Sequence, residues 1–165
     1  MFRERVSENI YVFTSDIYAQ VTAGAIVTPE GAILIDSLPF PSESRAMATF
    51  LTRACPAGVR YVVLTHYHAD HTYGAYLYPQ AAVVAHSQCP DLLLEKGLPS
   101  LRDAQLAEPE LEEVSLRSPT ITFDEGDIAL QLDEQVVRLI HAPGHTPDSI
   151  LVYVEDERVL FAADT

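Results

Sequence analysis

The sequence predicts an α/β (α+β) fold built as two αβ layers that share one core. Three observations carry this. Strand-like and helix-like segments alternate through the first half of the chain. A fresh run of strand-like segments follows residue 118, which argues against one wound sheet. The length of 165 residues, with 48% hydrophobic and 21% charged side chains, fits one ordinary globular domain over 1–165.

Taken in order, residues 6–13 start with alternation and end in Ile10-Tyr11-Val12-Phe13, a first strand. Residues 21–28 and 32–35 read as a hairpin turned by Thr28-Pro29-Glu30-Gly31, where proline presets one dihedral and glycine accepts a positive φ. The second hairpin strand ends at Asp36. Ala46, Met47, Phe50, Leu51 and Ala54 then recur at helical spacing after Pro41-Ser42, and Pro56 and Gly58 stop the helix. Residues 61–64 form a short buried strand, 71–77 a short helix and 81–85 another strand. Ser87 caps a helix over 88–96, with Pro90 in its first turn and Gly97 as its terminator. Residues 98–118 are acidic and broken by Pro99 and Pro109; they read as a solvated connector with a helical turn or two. Strands at 121–123, 128–132, 136–140, 150–154 and 159–162 complete the chain.

Ten basic against 24 acidic side chains give a net charge of −14. Such a field repels phosphate backbones and offers no basic stripe, so nucleic acid is not expected as a partner, whereas a divalent cation is a natural guest. No apolar stretch reaches the eighteen or so residues of a membrane helix, and no apolar segment follows the charged N-terminus as a secretory signal would. Cys55 and Cys89 form no CxxC pair and read as reduced core thiols of a cytoplasmic protein.

The chemistry concentrates where the 61–64 strand ends. Thr65-His66-Tyr67-His68-Ala69-Asp70-His71 holds three of the six histidines. Imidazole and carboxylate are good ligands for a borderline metal such as zinc. His66 and His68, two apart, diverge on a helix but converge from a strand end or loop, and Asp70 and His71 form a second, differently directed pair. A solvated loop with chance histidines is the plain alternative, and the ligand density argues against it. His145 follows a strand in Ala142-Pro143-Gly144-His145-Thr146-Pro147, a loop stiffened by two prolines. His141 and His86 end strands; a structural or outer-partner role suits both. Asp164 and Asp36 each follow an apolar strand, a position that by itself suits a cap or turn.

The heptapeptide reproduces the T-H-x-H-x-D-H motif and resembles the metallo-β-lactamase-fold hydrolases. Pro143-Gly144-His145-Thr146 is similar to their second metal motif, and Ala163-Asp164-Thr165 to their third, usually Gly-Asp-Thr. Asp36 is similar to an aspartate often found at that hairpin end. The resemblance implies an αββα sandwich. It implies one metal on His66, His68 and His145, and a second on Asp70 and His71, with Asp164 bridging. An aspartate bridge resembles the glyoxalase II, lactonase and thioesterase branches. The implied function is a metal-dependent hydrolase, in which a metal-bound hydroxide attacks an ester, thioester, lactone or similar small substrate. Asp70 would manage the proton, and Tyr67 and Tyr73 would contact substrate or simply pack. Zinc, one or two ions, is the expected cofactor, with iron or manganese open. An iron oxidoreductase resembling persulfide dioxygenases and a truncated, non-catalytic metal-binding domain are the alternatives. Members of the family continue past Asp-Thr to a last histidine ligand. No histidine follows His145 here, so the C-terminal elements are expected to be missing and a homo-oligomer is admitted.

Overall fold

The computed structural model describes residues 1–165. Its strands are β1 (Phe2–Arg5), β2 (Ile10–Thr14), β3 (Thr22–Thr28), β4 (Gly31–Ile35), β5 (Val59–Val63), β6 (Ala82–His86), β7 (Ile121–Phe123), β8 (Asp127–Leu132), β9 (Gln135–His141), β10 (Ile150–Val154) and β11 (Val159–Phe161). The first seven form one sheet in chain order, and the last four form a second in the order β11-β10-β9-β8. The larger sheet is antiparallel from β1 to β4 and parallel from β4 to β7. The helices are α1 (Pro41–Ala54), α2 (Ala69–Thr72), α3 (Cys89–Leu92) and α4 (Leu98–Ala107). The expected α/β class with two layers is therefore the observed one.

The core explains the layering. Ile10, Ile26, Ile33, Ile35, Val63 and Val84 point from the larger sheet onto Leu130, Val137, Leu139, Ile150 and Val152 of the smaller one. The alternate residues Phe13, Ala25, Leu34, Val62 and Val83 face the other way, onto Met47 and Leu51 of α1. This is the period-two alternation of strands applied to a sheet covered on both faces. Each such large side chain, fully buried, contributes about 1.5–3 kcal/mol from apolar transfer. Gly24 of β3 serves the packing between sheets: a Cβ there would stand 2.2 Å from the Phe161 ring of β11.

Two segments depart from the sequence expectation. Phe2–Arg5 is a strand although every residue is exposed; its backbone pairs with β2, and no hydrophobic period marks it. Gly97 does not end a helix. From Cys89 the chain runs through α3, a π-helical turn at Leu93–Gly97, and directly into α4. Pro99 falls at the start of α4, just after the π-helical turn, where the regular ladder is already interrupted and a residue without an N–H is accommodated. The expected connector over 98–118 is instead α4 and a 3-10 turn at Pro109–Glu113. Leu101, Leu111 and Val114 bury against Tyr73 and hold these turns down.

Candidate metal centre

Parallel strands deliver their C-terminal ends to one edge of a sheet, the usual ligand-binding edge of such layouts. Here β4 delivers Asp36 and β5 delivers the 64–68 loop. Asp36 takes a left-handed φ of 57°, which an aspartate tolerates better than most residues, and its N–H bonds the Val63 carbonyl at 2.9 Å. The second sheet joins at the same place: Ile150 N–H, at the start of β10, donates to the Thr65 carbonyl at 2.9 Å. The β9–β10 connection then carries His145, and the turn after β11 carries Asp164.

These elements bring His66, His68, His145 and Asp164 together, with one ligand atom from each inside 4.8 Å of the others; Asp70, His71 and Asp164 form a second such group. His68 Nδ1 lies 3.1 Å from His66 Nε2 and 2.9 Å from His145 Nε2. A ring nitrogen has one proton or one lone pair, so it cannot satisfy two neighbours on the same side. A cation between the three resolves this. Tetrahedral sites with metal–nitrogen bonds of about 2.0–2.1 Å place their nitrogens about 3.3 Å apart, close to what is seen. Asp164 turns one oxygen to each group: Oδ2 is 3.4 Å from His145 Nε2, and Oδ1 is 3.3 Å from His71 Nε2.

The surrounding hydrogen bonds fix which nitrogens are free. Asp36 Oδ1 accepts from Thr65 N at 2.8 Å, and Oδ2 accepts from Thr65 Oγ1 at 2.7 Å. The Thr65 hydroxyl proton is thereby committed, so its oxygen accepts from His66 Nδ1 at 3.1 Å and leaves the Nε2 lone pair facing the cluster. Asp36 Oδ2 also accepts from His71 Nδ1 at 2.8 Å. His71 Nε2 is buried without a hydrogen-bond partner and faces the Asp70 and Asp164 carboxylates. Only a proton or a metal ion satisfies that atom, so the donor set fits a cation.

Charge follows the same geometry. Burial, with the His71 charge next to it, pushes the His66 imidazole down to about 4. Burial and then His145 lower His68 as well. Burial also opposes a charged His71, but the Asp36 carboxylate, by charge and hydrogen bond, outweighs it and lifts the group to about 9. Two imidazoles kept neutral at ordinary pH are ready donors for a metal.

Of the remaining sequence candidates, Tyr67 is half-buried with its ring edge-on to His68 at 4.5 Å. Tyr73 is 3% exposed within the Leu101–Leu111–Val114 cluster, so packing is the role its surroundings carry. His141 donates from Nε2 to the Pro147 carbonyl at 2.9 Å, closing the loop that bears His145. It also stacks on His86 at 3.7 Å between centroids. His86 donates from Nε2 to the Asp124 carbonyl and accepts the Gln88 N–H at Nδ1, a satisfied structural histidine. Thr146, Asp148 and Ser149 brace the same loop, which sequence reading passed over: Thr146 Oγ1 donates to Asp148 at 2.7 Å, and Thr146 N to Ser149 Oγ at 3.0 Å. Their signal was a polar run beside His145 inside an otherwise buried strand start. Cys55 and Cys89 are free and buried. No helix is long and apolar enough to cross a membrane.

A family model described as the metallo-beta-lactamase superfamily matches residues 18–165. Among curated proteins, the chain is 29% identical over 107 residues to an atrochrysone carboxyl ACP thioesterase of Pseudocercospora fijiensis, covering 64% of this chain and 25% of that one. It is 27% identical to an acyl-coenzyme A thioesterase of Homo sapiens, covering 62% and 39%. It is 28% identical to a hydroxyacylglutathione hydrolase of Rhodopseudomonas palustris, covering 63% and 32%. The chain thus spans well under half the length of these relatives. Among solved structures, a metallo-beta-lactamase from Pontibacter korlensis superposes with a TM-score of 0.76 at 22% identity, over 98% of this chain and 70% of that one. One from Legionella gormanii gives 0.69 at 20%, over 92% and 57%. At these identities the solved structures speak for the fold alone.

Proposed function

Because this chain belongs to the metallo-beta-lactamase superfamily, we propose that it is a metal-dependent hydrolase of an ester, thioester or lactone, with zinc as its metal. The observation that carries this reading is the convergence of three imidazole nitrogens on one point, with Asp164 facing both that point and the Asp70–His71 pair. His66, His68 and His145 would hold one cation, Asp70 and His71 a second, and Asp164 would lie between them. Such cations, when bound, polarise a carbonyl and supply a deprotonated water at neutral pH. Asp36 keeps His66 and His71 in the tautomers that leave Nε2 free. Asp70, partly open to solvent at the rim of the cluster, orients the attacking water and takes its proton. The tight loop around His145 holds the third imidazole in place as substrate enters.

Thioesters lead the choice of substrate, since three relatives carry the names thioesterase or hydroxyacylglutathione hydrolase. We place the reaction in the cytoplasm, which suits two free buried thiols.

The test combines metal analysis of protein purified without added metal with turnover on thioester, ester and lactone panels. Zinc in the preparation, hydrolysis abolished by a chelator, and joint loss of metal and activity in His68→Ala are the expected results. Bound iron with oxygen uptake would overturn the reading in favour of an oxidoreductase. Metal with no turnover on any panel would reduce the domain to a binding module.

A further inference from the structure

Lys96 is the only lysine in the chain. It is solvent-exposed, and what it lies against sets it apart. It belongs to the π-helical turn Leu93–Gly97, and the ammonium sits over the Tyr67 ring at 5.6 Å from the centroid. Tyr67 in turn meets the His68 ring edge-on, so one aromatic ring separates the lysine ammonium from the candidate metal cluster. π-turns are uncommon and gather at functional sites. This one is pressed onto the site loop: a Cβ on Gly97 would meet Leu93 at 3.3 Å, Leu116 at 3.4 Å and the Tyr67 carbonyl at 3.8 Å.

Lys96 forms no intramolecular ion pair, and its charge meets only the face of Tyr67. Arg45 and Arg138 are paired with carboxylates, and Arg117 is spent on the Tyr78 and Ala81 carbonyls. No carboxylate approaches the Lys96 ammonium within ion-pair distance. An anionic substrate nearing a chain of net charge −14 is repelled at long range. A cation one aromatic ring away from the cluster, oriented by that ring's face, offsets this repulsion beside the site.

We propose that Lys96, presented over Tyr67, is a specificity-determining residue that selects substrates carrying a carboxylate or phosphate beside the scissile acyl group. This rests on the hydrolase reading above and adds its substrate class: acidic (thio)esters in preference to neutral ones.

Two measurements test it. The first compares kcat/KM for three thioesters: neutral butyryl N-acetylcysteamine, butyryl 3-mercaptopropionate with its carboxylate on the thiol arm, and succinyl N-acetylcysteamine with its carboxylate on the acyl arm. An ion pair at a solvent-exposed lysine changes such a ratio by about 1.5- to fivefold. Lys96→Met is expected to lower the acidic-to-neutral ratio by that factor for one arm, which identifies the arm, and Lys96→Arg to restore it. An unchanged ratio on both arms would overturn the proposal. The second needs no turnover. Lysine-selective isotope labelling gives a single side-chain signal, which is expected to shift on titration with the S-butyl thioether of 3-mercaptopropionate and not with that of N-acetylcysteamine. No shift, or equal shifts, would overturn the proposal. Absence of hydrolysis on every thioester would instead sink the hydrolase reading, leaving the titration to decide on Lys96.

Discussion

Asp36 accepts a 2.8 Å hydrogen bond from His71 Nδ1, although the two residues come from different elements and both are buried. The same carboxylate oxygen accepts from Thr65 Oγ1, and through Thr65 it sets the tautomer of His66. One buried acid therefore aims an imidazole into each of the two candidate metal groups.

Replacing Asp36 with Asn keeps the shape but presents an amide N–H₂ where one oxygen accepted two donors, or leaves Thr65 N–H facing it instead. The expected result is a folded protein, destabilised by about 1–3 kcal/mol, with metal affinity lower by about 10–100-fold. Competition against a chromophoric chelator reads the affinity, and circular dichroism checks the fold. Wild-type affinity in Asp36→Asn would show that the ligands need no such orientation.

Gly74 follows the site helix and lies against the chain leaving β4. A Cβ there would stand 2.1 Å from the Ser37 carbonyl and 2.5 Å from Ser44 Oγ. Gly74→Ala is expected to lose about 2–3 kcal/mol through overpacking, read as a lower denaturant midpoint at unchanged slope. Adding Ser44→Ala removes only the softer contact, so it should not restore stability; full rescue would place the strain in the side chain rather than the backbone.

His141 tests how firmly the His145 loop must be held. In His141→Phe the stack on His86 persists and the donor to the Pro147 carbonyl is lost. One hydrogen bond is worth about 1 kcal/mol, so metal affinity should fall by about fivefold. His141→Gln, which keeps a donor, should lose less. Calorimetric titration distinguishes the two, and a larger loss in His141→Gln than in His141→Phe would point to the stack instead.

Glu43 supplies a pH dependence away from the metal centre. Burial opposes its ionisation, but hydrogen bonds from Ser15 Oγ and Asp16 N outweigh burial and hold the folded pKa below the ordinary 4.5. Below 4.5 the unfolded chain binds the proton more readily than the folded one, so stability contributed by this group is present above that value. It is lost as pH falls through the lower, folded pKa. Between those two values stability should rise with pH more steeply in wild type than in Glu43→Gln. Parallel stability–pH curves from thermal or urea melts would refute the assignment.

Legibility in the sequence tracked how local each signal was. Thr65 to His71 is one contiguous stretch, and His145 and Asp164 each follow a strand, so the types and order of the candidate ligands were readable. The double use of Asp36 was not, because it depends on how β4 and β5 register and on where α2 places His71. The His86–His141 stack joins the ends of strands in different sheets, and no pattern announces it. The α4 helix was missed because its stability is tertiary. Its acidic, proline-broken sequence has weak periodicity, and Leu101 is buried by Tyr73 and Leu111 from other segments.

Ala163 offers the last test, next to the candidate bridging carboxylate. Its φ of 50° is left-handed, a region that costs a non-glycine residue about 1–2 kcal/mol. The residue before Asp164 must turn the chain out of β11 so that Oδ1 reaches His71 Nε2 at 3.3 Å while Oδ2 faces His145. Glycine adopts that conformation without the penalty, at the expense of about 0.4–1 kcal/mol from greater freedom in the unfolded chain. Ala163→Gly should therefore gain about 0.5–1 kcal/mol in urea unfolding, whereas Ala162→Gly, at a residue without a positive φ, should lose stability. A loss in Ala163→Gly comparable to that in Ala162→Gly would mean that the left-handed turn is not maintained in solution. The alignment of Asp164 between the two ligand groups would then need another source.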